Sequence, residues 1–129
     1  MSLFSLNKAD KLKSRKAIDR LFQKGQSFSS FPIRIVYFLE EPKPEGSSGL
    51  KMTVSIPKKS FAKAVKRNKI KRQVREAYRL HKTKLKSALE NKDGELQLMC
   101  IYVSKKEEPY QVIEKSLKKA LDKLVTKLD

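Results

Sequence analysis

Arg67-Asn68-Lys69-Ile70-Lys71-Arg72-Gln73-Val74-Arg75-Glu76-Ala77-Tyr78-Arg79 is the stretch on which the reading of this chain turns. Winding the segment at about 100° per residue from Arg67 puts Lys71, Lys82, Arg75, Asn68, Lys86, Arg79 and Arg72 between about 40° and about 140°. Ile70, Val74, Ala77, Tyr78, His81, Leu85 and Ala88 take another arc, centred roughly 120° away. One flank suits a core and the other suits solvent or a ligand. The pattern predicts a long helix from about Phe61 to Leu89, broken by Asn91 to Gly94.

The charge on this helix is unusual. Lys58 to Lys86 holds thirteen Lys and Arg against one acid, Glu76, and so carries +12 of the formal +17 of the chain. The plain alternative is a solvated helix face. Such a face normally mixes Glu with Lys at i,i+4 spacing, because like charges stacked there destabilise the helix. A phosphate backbone would relieve the repulsion and release counterions. Each guanidinium can grip a phosphate with two parallel hydrogen bonds. Asn68 offers a donor and an acceptor to a sugar hydroxyl or base edge. The other reading of Asn68 is a helix-start residue satisfying its own backbone.

Outward from the helix, the 129 residues fit one domain, with about 1–10 and the last few residues expected to be loosely ordered. Ser14 to Lys24 reads as a short helix capped by Ser14, with Ile18, Leu21 and Phe22 on one side and Gly25 ending it. Phe31 to Leu39 reads as a strand with large apolar groups in both alternating sets, so both of its faces are expected to be covered. Glu40 to Gly49 reads as a turn or mobile loop. Leu50 to Ile56 reads as a second strand, ended by Pro57. Leu96 to Val103 reads as a buried strand, and Pro109 opens a last amphipathic helix striped by Val112, Ile113, Leu117, Ala120, Leu121, Leu124 and Val125. The expected order is helix, strand, strand, helix, strand, helix.

Ser55-Ile56-Pro57-Lys58-Lys59, Ala64-Val65 and the opening stretch from Arg67 to Arg79 together resemble the signature of the bacterial ribonuclease P protein family. That signature is Arg-Asn-Arg, one spacer, Lys-Arg, two spacers and Arg on the longest helix; Lys69 stands here where its third residue is usually Arg. Leu12-Lys13 with Ile18, Leu21, Phe22 and Gly25 resembles the family's first helix, and Ser27-Phe28 with Phe31-Pro32-Ile33-Arg34 its approach to the first strand. The resemblance implies an α/β (α+β) sandwich of the ribosomal-protein-S5-domain-2-like kind. Its small mixed sheet would have α-β-β-α-β-α order, and an unusual left-handed crossover would lead into the long basic helix. Pattern alone would favour a right-handed crossover.

The resemblance also implies a function. The chain would be the non-catalytic subunit of a ribonucleoprotein endonuclease, a hydrolase that removes the 5′ leader of precursor tRNA. The catalytic centre would lie in the RNA subunit, with magnesium required by that RNA and no cofactor on the protein. Lys58, Lys59, Arg67, Asn68, Lys69, Lys71, Arg72, Arg75 and Arg79 would face RNA. Ile18 and Phe22 would line a cleft for the single-stranded leader, floored by Val36 and Phe38 or, on the opposite strand face, by Tyr37. Phe22 and Phe38 as plain core is the competing reading. The partners would be the ribonuclease P RNA and precursor tRNA, with no membrane and no small-molecule substrate.

The residues suggest little chemistry of their own. His81, the one histidine, sits at the edge of the apolar arc and reads as structural. No His–Cys group has zinc spacing, no glycine loop cradles phosphate, and the acids form no two-metal pair. Cys100 lies in an apolar run and reads as a buried hydrophobe; with no second cysteine to pair with, and no apolar leader or spanning segment in the sequence, the expected setting is cytoplasmic. A structural ribosomal protein shares the charge and is the main alternative. A helix-turn-helix regulator lacks the paired short helix it would need.

Overall fold

The computed structural model describes residues 15–40, 49–90 and 94–128. Ser14, Leu12-Lys13, most of the expected 40–49 loop and the 91–93 turn lie outside them. Helix α1 (Arg15–Lys24) leads into strands β1 (Gln26–Ser30), β2 (Ile33–Glu40) and β3 (Gly49–Ser55). Helices α2 (Ala64–His81) and α3 (Thr83–Glu90), strand β4 (Glu95–Tyr102) and helix α4 (Tyr110–Leu128) follow.

The sheet order is β1-β2-β4-β3, with β1/β2 and β2/β4 antiparallel and β3/β4 parallel. Parallel neighbours cannot be joined by a hairpin, and α2 with α3 supplies the crossover between them. Ile33 and Ile35 of β2, Leu50, Met52 and Val54 of β3, and Leu96, Leu98, Cys100 and Tyr102 of β4 share the larger core with α2, α3 and α4. Val36 and Met99 point the other way and meet Ala17 and Leu21 of α1. The alternation that put apolar groups in both sets of β2 thus buries one set under each helix layer.

Two features add to the expected order. Strand β1 pairs along β2, with Phe28 opposite Ile35. Its sequence, Gln-Ser-Phe-Ser-Ser, has one apolar residue, so neither propensity nor alternation marks it as a strand. The long helix is divided at Lys82, whose backbone stays in the helical region (φ −74°, ψ −18°) and whose carbonyl accepts from the Lys86 N–H at 2.9 Å, so α3 follows directly on α2. Ser30 Oγ donates to the Ser116 carbonyl at 2.9 Å, and Ser116 Oγ donates back to the Ser30 carbonyl, tying β1 to α4.

Gly25 fixes how closely α1 approaches the sheet. A Cβ there would stand 2.3 Å from the Leu21 carbonyl oxygen, 3.0 Å from that of Tyr37 and 3.1 Å from Val36 Cγ1. Gly94 at the start of β4 has φ +109°, a conformation that glycine alone adopts without strain.

Candidate nucleic-acid interface

Helix α2 starts without a side-chain cap: Lys63 at the N-cap makes no capping hydrogen bond. The turn before it is held by Arg67, whose Nη1 donates to the carbonyls of Phe61 and Ala62, both at 2.7 Å. Phe61 is buried, its ring 5.8 Å from that of Tyr102. Lys58 and Lys59 are exposed on the turn leading in.

Ile70, Val74, Ala77 and Tyr78 are buried, so the apolar arc faces the core. Asn68, Lys69, Arg72 and Arg75 are exposed, and Lys71 is half-buried at the margin. Asn68 is not the cap, and among the described residues its side chain has no hydrogen-bond partner. Arg79 folds onto Glu76, its Nε donating to Oε2 at 3.0 Å. Lys69 and Lys66 reach Glu107 at 3.6 and 4.0 Å, exposed pairs of small energetic weight. Among the described residues, Lys71, Arg72 and Arg75 have no ion pair. The structure therefore gathers Asn68, Lys71, Arg72 and Arg75 on one free flank, and gives Arg67 and Arg79 local work as well.

A second concavity lies on the opposite sheet face, beside α1. Phe22, Gly25, Ser27, Arg34, Val36, Ile101 and Val103 line a hollow of about 360 Å³. Two of the four candidate cleft residues, Phe22 and Val36, border it. Ile18 and Phe38 pack against the smaller core as partly buried groups. Phe22 is 59 % exposed, which excludes the plain-core reading for it. Tyr37 points to the other sheet face, its ring edge-on to Phe28 at 6.0 Å. Arg34, whose Nη2 donates to Ser27 Oγ at 3.1 Å, brings a cation to the hollow that the sequence reading passed over. The signal was present: Arg34 alternates with the buried Ile33 and Ile35, so it had to point to the α1 side.

The remaining polar groups serve the scaffold. His81 Nε2 of α2 lies 3.5 Å from Glu114 Oε2 of α4 without a hydrogen bond, and that oxygen accepts from Tyr110 Oη at 3.3 Å. Burial, and then the Glu114 charge, push the Tyr110 phenol above its ordinary value. Burial pushes the Cys100 thiol up to about 12, where it is no nucleophile at neutral pH. Among the described residues no group of three or more His, Cys, Asp or Glu could hold a metal ion. No described helix is long and apolar enough to cross a membrane.

Residues 6–125 match the sequence model of the family described as Ribonuclease P. The ribonuclease P protein component of Porphyromonas gingivalis is 36% identical over 118 residues, which cover 92% of this chain and 85% of that relative. That of Dictyoglomus thermophilum is 36% identical over 90 residues, 70% of each chain. Among solved structures, the Staphylococcus aureus RNase P protein superposes with a TM-score of 0.66 at 23% identity, covering 95% of this chain and all of that one. The Thermotoga maritima RNase P protein gives 0.66 at 20% identity, over 88% of this chain and 96% of the other. At these identities the structural likenesses speak for the fold.

Proposed function

The chain belongs to the ribonuclease P protein family, and from that premise we propose that it is the protein subunit of ribonuclease P, acting in tRNA processing with an RNA partner. In this reading the RNA subunit carries the hydrolysis and its magnesium, and the protein binds and orients. The observation that carries the proposal is the free cationic flank of α2. Arg72 and Arg75 are exposed, Lys71 lies at the margin, and none has a carboxylate partner among the described residues. Dense like charge of this kind destabilises the isolated protein and is offset when phosphates approach.

The hollow beside α1 takes the single-stranded 5′ leader of precursor tRNA. Phe22 offers a ring face on which a base stacks, Val36 and Ile101 an apolar floor, and Arg34 a cation for the backbone. Because α1 and α2 cover opposite sheet faces, leader and RNA subunit engage the protein from two sides without competing.

Reconstitution tests this directly. The protein with its cognate RNA should cleave precursor tRNA at lower magnesium than the RNA alone, with a gain that grows with the length of the leader. The protein alone should not cleave. A mixture no better than the RNA alone would refute the assignment. So would stoichiometric copurification with ribosomes without such a gain, which would favour a structural role there.

A further inference from the structure

Helix α2 keeps one acid, Glu76, between Ala64 and His81. It stands on a surface otherwise suited to phosphate, and its i,i+3 pairing with Arg79 is half-buried and held by two hydrogen bonds. What distinguishes Glu76 is its surroundings. Arg72, Gln73, Glu76 and Tyr110 line a hollow of about 380 Å³ where α2 meets the first turn of α4.

The walls of this hollow are held in place. The Tyr110 ring packs against the larger core, and its hydroxyl donates to Glu114. The Glu76 carboxylate is fixed by Arg79. The Arg72 guanidinium and Gln73 amide are free of partners among the described residues. A phosphate is a poor occupant, since it would meet Glu76 and, just behind Tyr110, Glu114. A flat neutral group with a polar edge fits all four residues. Its face lies on the ring, its donors meet Glu76 or the Gln73 carbonyl, and its acceptors meet Arg72 or the Gln73 amide N–H.

We infer that this hollow receives one unpaired nucleobase of the RNA partner, stacked on Tyr110 and read at its edge by Gln73 and Glu76. The inference rests on the RNA-binding reading above and adds to it a base-contacting site beside the phosphate-contacting flank. The strand that delivers the base continues past Arg72 towards Lys71 and Arg75, where its phosphates are neutralised.

Salt dependence separates the two kinds of contact, because only a phosphate contact contributes to the slope of log affinity against log salt. The full-length protein and its cognate ribonuclease P RNA are titrated at several salt concentrations. Tyr110→Leu should weaken binding by about 5- to 100-fold with the slope unchanged, while Tyr110→Phe, which keeps the ring, should stay near wild type. Gln73→Ala should weaken it by about 2- to 10-fold, again with the slope unchanged. Arg75→Ala, the phosphate comparator, should flatten the slope by roughly 0.7–0.9.

Wild-type affinity in Tyr110→Leu, or a slope reduced as in Arg75→Ala, overturns the inference while leaving the RNA-binding reading intact. A wild-type protein that does not bind its RNA overturns both. If thermal melting shows that Tyr110→Leu does not fold, Gln73→Ala decides: unchanged affinity overturns the inference.

Discussion

Arg67 Nη1 lies 2.7 Å from the carbonyl oxygen of Phe61, so the first arginine of the basic helix holds the turn that starts that helix. It fixes the path of that turn by donating to its carbonyls and leaves the first N–H groups of the helix without a side-chain cap. Arg67→Ala should therefore lower stability by about 1–2 kcal/mol in urea denaturation, in the range of a lost charged hydrogen bond. It should also weaken RNA binding. Arg67→Lys should recover part of the affinity but little of the stability, because the lysine ammonium ends one bond short of the Nη1 that reaches both carbonyls.

Arg72 and Arg75 carry no such local duty. Changing either to Ala should leave stability within about 0.5 kcal/mol of wild type, as for most surface substitutions. Affinity for the RNA should fall, and by more than in Lys127→Ala, which removes an exposed cation 5.7 Å from the Phe28 ring. For the wild type, roughly six to ten phosphate contacts would cost about 10³–10⁵ in affinity between about 50 and about 200 mM salt. A flat titration by filter binding or fluorescence anisotropy contradicts the electrostatic account.

The two arcs of α2 were legible because a helix repeats at i, i+3 and i+4, and Ile70, Val74, Ala77 and Tyr78 occupy one such row without a charge among them. Strand β1 was not, because Ser27, Ser29 and Ser30 show no apolar alternation and its pairing is dictated by the neighbouring β2. The interruption at Lys82 carries neither glycine nor proline to announce it. In β2 both alternating sets are apolar, so the choice between Tyr37 and the Val36/Phe38 set as cleft floor depended on where α1 lies, a tertiary fact. Local duty at Arg67 and Arg79 was hidden for a similar reason. The first depends on the path of the turn at Phe61 and Ala62, and the second on the rotamer that brings Glu76 into reach.

Phe22 tests the cleft. Because its side chain is largely in water, Phe22→Ala should cost little stability. It should reduce the preference for substrate with a long leader over substrate with a one-nucleotide leader by about 5- to 100-fold, the weight of one base stacked on a ring. Val36→Ala also changes the floor but removes a buried side chain, so it should lower the melting temperature as well. Tyr37→Phe, on the opposite sheet face, should leave leader preference unchanged. Single-turnover cleavage of the two substrates gives the ratio.

Gly25 tests how α1 is seated. A methyl group 2.3 Å from the Leu21 carbonyl cannot be accommodated unless the chain moves, and backbone yields less readily than a side-chain tip. Gly25→Ala should destabilise the protein by about 1–3 kcal/mol, the usual range for overpacking. Since the shift displaces α1 and Phe22 with it, leader preference should fall while affinity for the RNA subunit, held by α2 on the other face, stays close to wild type. Equal loss of both would mean that the two faces are not independent.

Cys100 gives a prediction in pH. Its thiol titrates at about 12 in the fold against a reference of 9.0, and desolvation by burial is the cause. A group whose folded pKa is raised contributes stability that is fully present below the unfolded value and is lost as pH climbs towards the folded one. The contribution is therefore intact at neutral pH and declines from about pH 9 towards pH 12. Cys100→Ala removes this component: it should be less stable at pH 7, where a small cavity opens between β4 and the helices, and should lose less stability than wild type on going to pH 10. In the native wild type the thiol should resist alkylation at pH 8 and react promptly in denaturant. Rapid labelling of the folded protein would mean that β4 opens locally, contrary to its position in the middle of the sheet between β2 and β3.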